Sequence, residues 1–90
     1  MKAVFNVAIT KPGGGIEFAS KETEIDFVPV AGMQVEDSAW KCPVKVVSVC
    51  YGIESKELFI TLERHAAENL QDQESLLRMY SSHGWKTLEE

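Results

Sequence analysis

Basic clusters are missing from this sequence, and so is any long apolar run. Nine Lys and Arg are scattered among fourteen Asp and Glu, giving a formal net charge of −5. With no basic stripe to neutralise a phosphate backbone, nucleic acid and an anionic membrane are poor partners. Polar residues break every apolar stretch well short of the roughly 20 residues a membrane-crossing helix needs. Met1 to Asn6 lacks the apolar centre and cleavage site of a signal peptide. The expected location is the cytoplasm.

Cysteine is scarce, with Cys42 and Cys50 the only two. If Trp40 to Tyr51 is one strand, the pair lies roughly 26 Å apart at about 3.3 Å per residue, far beyond the roughly 7 Å between Cα atoms that a disulfide tolerates. Both sit near valines, where a thiol is expected to pack as a small core hydrophobe. A zinc site built from Cys42, Cys50, His65 and His83 has no closely spaced ligand pair. A Cys50 nucleophile with His65 as base lacks an electropositive setting. Ser81 and Ser82 beside His83 point in different directions on a helix, with no orienting carboxylate implied. The run Gly13-Gly14-Gly15 is followed by strand-like Ile16-Glu17-Phe18 instead of Lys-Ser/Thr and a helix, so it is a turn and not a phosphate loop. Glu57 and Glu63 flank one strand on its outward face and have no cleft in which to work as an acid–base pair. No catalytic residue, cofactor or metal ligand is assigned, and the expectation is a protein that is not an enzyme.

The apolar share is 44%, enough for one core in a chain of this size. Residues 3 to 9 alternate, with Ala3, Phe5, Val7 and Ile9 on one face, which predicts a half-buried strand. After the turn at 11–15, Ile16 and Phe18 resume the alternation with Glu17 outside, so the two strands form a hairpin. Ser20 to Glu22 predicts a bend, Thr23 to Val28 a further extended piece, and Pro29 its end. The run Val44 to Tyr51 is apolar on both faces and reads as a central or doubly covered strand. A loop at 52–56 joins it to Glu57–Glu63, where Leu58, Ile60 and Leu62 face inward and Phe59 outward. From residue 70 the period becomes helical, with Leu70, Leu77 and Tyr80 on one stripe. Asn69 and Asp72 are N-cap candidates and Gly84 a helix stop, so a helix is predicted over 70–83, with Trp85 folding back onto the sheet.

The fold class that follows is α+β: a curled antiparallel sheet or small partly open barrel of about five strands with one C-terminal helix. Residues 1–86 form a single domain, and 87–90 a frayed tail. The leading functional expectation is a non-catalytic protein–protein interaction module, a small regulator or inhibitor acting through an edge strand such as Ala3 to Ile9 or through an acidic surface. Homodimerisation is expected through an edge strand or through the helix. The interface residues this reading names are Glu22, Glu24, Asp26, Tyr51, Phe59 and Trp85. Two alternatives are a small-molecule-binding barrel closed by the helix and Trp85, and an acidic nucleic-acid mimic of the kind mobile elements use. The aromatic residues lack the interleaved Lys and Arg of a base-stacking platform, so core packing is their expected role.

Overall fold

A computed structural model describes residues 1–89, with side chains through Thr87. In chain order the elements are β1 (Lys2–Thr10), β2 (Ile16–Glu24), β3 (Gln34–Val35), β4 (Val44–Gly52), β5 (Glu57–Leu62), β6 (His65–Ala66), α1 (Leu70–Ser82) and β7 (Lys86–Glu89). The fold is α+β, a curled open sheet with one helix near the C-terminus. The strands run β3-β4-β5-β1-β2-β7, and β6 adds to β1 beyond β5.

Both predicted hairpins form. Lys11–Gly15 closes the first, pairing Thr10 with Ile16 and Ile9 with Glu17. Gly52–Lys56 closes the second, pairing Gly52 with Glu57 and Cys50 with Phe59. The two hairpins join along β1 and β5, which are parallel, so the sheet is mixed. The strand Ala3 to Ile9, expected at an edge, is therefore central: β2 holds one side, and β5 and then β6 the other. β2 continues without a bend through Ser20–Glu22 to Glu24. The tail expected to fray does not do so at residues 87–89, because Lys86–Glu89 pairs with Ser20–Glu17 of β2; Glu90 lies outside the described residues.

One face of the sheet carries the core. Ala3, Val7 and Ile9 of β1, Ala19 of β2, Val46 of β4 and Leu58, Ile60 and Leu62 of β5 are buried there. Each large aliphatic contributes about 1.5–3 kcal/mol on full burial. The helix covers part of this face with Gln73, Leu76 and Tyr80. The buried stripe is thus 73/76/80, and Leu70 stays exposed. Asn69 caps the helix by accepting from the backbone N–H of Asp72, whose carboxylate in turn accepts from the N–H of Glu68. His83 ends it, and Gly84 at φ +86° turns the chain back. The Trp85 N–H then bonds the Tyr80 carbonyl, and its ring is buried as expected.

β4 departs from its prediction. It is neither central nor doubly covered, since β3 flanks it only at Val44 and Lys45. The chain from Ile25 to Pro43, mostly irregular, contributes Met33, Val35 and Trp40 to the edge of the core. The apolar surface that was to cover both faces of β4 is spent on one.

Candidate functional site

Two features stand out, a groove on the core side of the sheet and a bare strand edge. The groove lies where the 25–43 segment passes over the inner face, beyond the end of the helix. Its volume is about 480 Å³, and rings of Phe5, Phe27, Trp40 and Trp85 line it. Glu24, Glu36 and Asp37 supply its carboxylates and Lys21 its one base.

Asp37 knots the groove's inner end together. Its Oδ1 accepts from Lys21 Nζ at 2.7 Å; its Oδ2 accepts from Trp85 Nε1 at 2.9 Å and from the Ala39 N–H at 3.0 Å. Burial alone would raise the Asp37 carboxyl. Donation from Lys21, Trp85 and Ala39, with the Lys21 charge, outweighs burial and holds it below the usual value. Lys21 also donates to the His83 carbonyl at 3.0 Å, so one ammonium ties β2 to both the loop and the helix end. The Trp85 ring packs against Trp40 at 5.5 Å and Tyr80 at 5.2 Å between centroids. The Tyr80 hydroxyl accepts from Trp40 Nε1 at 3.1 Å. Burial, with the nearby Asp37 charge, pushes its pKa up despite that donation.

A Ser–His contact that the sequence separated by 45 residues also forms here, His83 Nδ1 to Ser38 Oγ at 3.0 Å. No carboxylate orients the His83 ring from its other nitrogen among the described residues. The contact therefore lacks the third member a nucleophile–base pair needs, and it acts as a second tie between loop and helix end. His65 sits elsewhere, with Tyr80 edge-on to its ring. Among the described residues, no group of three or more His, Cys, Asp or Glu converges as metal ligands would.

Both thiols are exposed, which corrects their expected core placement. Cys42 precedes β4 between Lys41 and Pro43 in the loop. Cys50 faces away from the core, opposite Phe59.

The interface residues inferred from sequence do not converge. Trp85 is only 4% exposed and is not available as a surface anchor. Glu22 and Glu24 project from β2, but Glu22 meets Lys2 at 3.4 Å and Glu24 meets the Met1 amino group at 3.1 Å. The Lys2 ammonium is held above its usual value by its hydrogen bond to Glu22 and by the charges of Glu22 and Glu57. Asp26 is exposed beyond the strand end. A row of bare carboxylates at phosphate-like spacing is not what these pairs make. Tyr51 and Phe59, 49% and 37% exposed, both belong to the β4–β5 hairpin but point to opposite faces, Tyr51 opposite Leu58 and Phe59 opposite Cys50.

That hairpin carries the bare edge. From Val47 to Gly52 the outer side of β4 has no strand partner among the described residues. The stretch holds no charge and no proline. Val47 is 54% exposed at a bulge between Val46 and Ser48, and Ile53 follows in the exposed turn. The opposite edge, β7, begins with Lys86. Charge commonly guards such edges against pairing, and β4 has only its bulge. The absence of charge in residues 46–52 was legible in the sequence; that this run lies at an edge was not.

No family model, curated protein or solved structure matches the chain.

Proposed function

We propose that this protein is a non-catalytic interaction module that takes up a strand of another protein along the free edge of β4. The carrying observation is that edge: the six uncharged residues Val47–Gly52, with no strand along their outer side among the described residues, include exposed Val47 and Tyr51 and adjoin exposed Ile53 and Phe59. Unpaired backbone N–H and C=O groups supply affinity in strand addition, and alternate side chains supply selectivity. The reading keeps the edge-strand mode expected from the sequence and moves it from β1 to β4. It drops the acidic surface as the contact, because Glu22 and Glu24 are already paired.

The test is affinity capture from the native host with the wild-type protein and with Val47→Lys, read by mass spectrometry, alongside light scattering. Val47 is exposed, so the added charge leaves the core intact and blunts only the edge. The expected result is a captured protein, or a self-associated mass above 10.0 kDa, that Val47→Lys removes. Identical captured proteins and identical masses for both variants overturn it.

A further inference from the structure

We propose that the groove beneath the 25–43 segment binds a small organic cation, an ammonium head on an apolar body. Its volume of about 480 Å³ falls within the roughly 300–1,000 Å³ of small-molecule sites. Its walls are mainly aromatic and aliphatic, with Phe5, Phe27, Met33 and Trp40 among them, which suits an apolar body.

Charge selects the head. The groove's one base, Lys21, is engaged by Asp37 and the His83 carbonyl. An anionic ligand would have to displace those contacts. Asp37 already accepts from three donors, and Glu24 meets the Met1 amino group. The carboxylate left without an ion pair or hydrogen bond among the described residues is that of Glu36. Glu36 and Trp40 line both the groove and a smaller recess of about 190 Å³ beside it. On the groove side, whose lining does not include the Lys41 of the recess, an ammonium meets the Glu36 carboxylate and an indole ring, the pairing on which recognition of organic cations rests. Neutral and anionic ligands of the same shape gain nothing from Glu36. This inference is independent of whether β4 takes up a strand.

Both tryptophans of the chain line the groove, so their fluorescence reports its occupation. The probe is benzyltrimethylammonium, compared below the solubility limit of its neutral carbon isostere neopentylbenzene and with the anion phenylacetate. The expected result is saturable quenching or a spectral shift with the cation, weaker for the other two. Glu36→Gln weakens the cation roughly threefold to tenfold, and Glu22→Gln, on the far face of β2, leaves it unchanged. Thermal melts confirm that both variants are folded. The proposal is overturned if no saturable response occurs at millimolar cation, if the isostere or the anion binds as well, or if Glu36→Gln binds the cation like wild type.

Discussion

Gln73 Nε2 donates to Glu17 Oε1 at 2.9 Å, and both side chains are buried between helix and sheet. Lys11 reaches the same oxygen from the hairpin turn at 2.9 Å. Glu17 is thus a carboxylate on the core face, satisfied by one amide and one ammonium. Burying a charge is costly unless it is paired and hydrogen-bonded; here both conditions hold.

Gln73→Ala removes the amide and leaves the buried carboxylate to Lys11. The expected loss is about 1–3 kcal/mol, read as a lower urea midpoint at unchanged slope. Gln73→Leu combined with Glu17→Leu recovers much of it, because an apolar pair leaves no unsatisfied group and Lys11 can turn its ammonium to water. A double variant less stable than Gln73→Ala would show that the pair holds the helix on the sheet by more than satisfying itself.

The same residue shows what a sequence can and cannot disclose. Alternation in β1 placed Ala3, Phe5, Val7 and Ile9 on the core face correctly. The natural reading of β2 then put Ile16 and Phe18 inward and Glu17 out. The hairpin decides otherwise. Pairing Thr10 with Ile16 sets Ile9 opposite Glu17, and residues directly opposite share a face. So Glu17, Ala19 and Lys21 face the core, while Phe18 is half-exposed on the far side. The partners that make this tolerable, Gln73 and Asp37, lie 56 and 16 residues away, and no local pattern announces them. The groove was illegible for the same reason, since it depends on where the 25–43 segment crosses the sheet. Elements set by local rules, namely both hairpins, the Asn69 cap, the Gly84 stop and the return of Trp85, were legible. The parallel joining of β1 to β5 was not, because strand order rests on long-range contacts.

Asp37→Asn tests the knot at the groove. The variant keeps the size but loses the charge that binds Lys21, and its amide cannot accept from three donors. A loss of about 1–3 kcal/mol at neutral pH is expected. The pH dependence has a definite sign. The folded-state pKa of Asp37 lies below its ordinary value of 3.8, so ionised Asp37 contributes its full stabilisation above that value. The contribution falls as pH drops from about 3.8 through the lower folded pKa. The stability gap between wild type and Asp37→Asn should therefore be constant from neutrality to about pH 5 and narrow below pH 4. A gap that widens in acid would contradict this role.

Gly84→Ala tests the helix stop. At φ +86° an L-residue is strained, while an added Cβ would meet only the end of the Lys21 side chain, Cε at 3.7 Å and Nζ at 4.0 Å, both ordinary contacts. The cost is then conformational, about 1 kcal/mol, seen as a lower melting temperature with unchanged groove fluorescence. A much larger loss would mean that the substitution disturbs the Lys21 contacts to Asp37 and His83.

The two thiols provide the last test, because they divide the exposed surface between them. Both are exposed, so a thiol reagent should label two sites per folded chain without denaturant. Cys50 lies in β4, opposite Phe59, at the edge proposed to take up a strand. Cys42 lies in the loop by the small recess. With Cys42→Ser, alkylation of Cys50 by a bulky maleimide should abolish partner capture and leave cation binding in the groove intact. With Cys50→Ser, alkylation of Cys42 should spare capture, and any effect should fall on the cation, since its recess also contains Glu36 and Trp40. Capture that survives a blocked Cys50 would place the contact away from β4. Sensitivity of capture to Cys42 alone would move it to the loop. Each alkylated protein should keep its wild-type melting temperature, because neither thiol packs in the core.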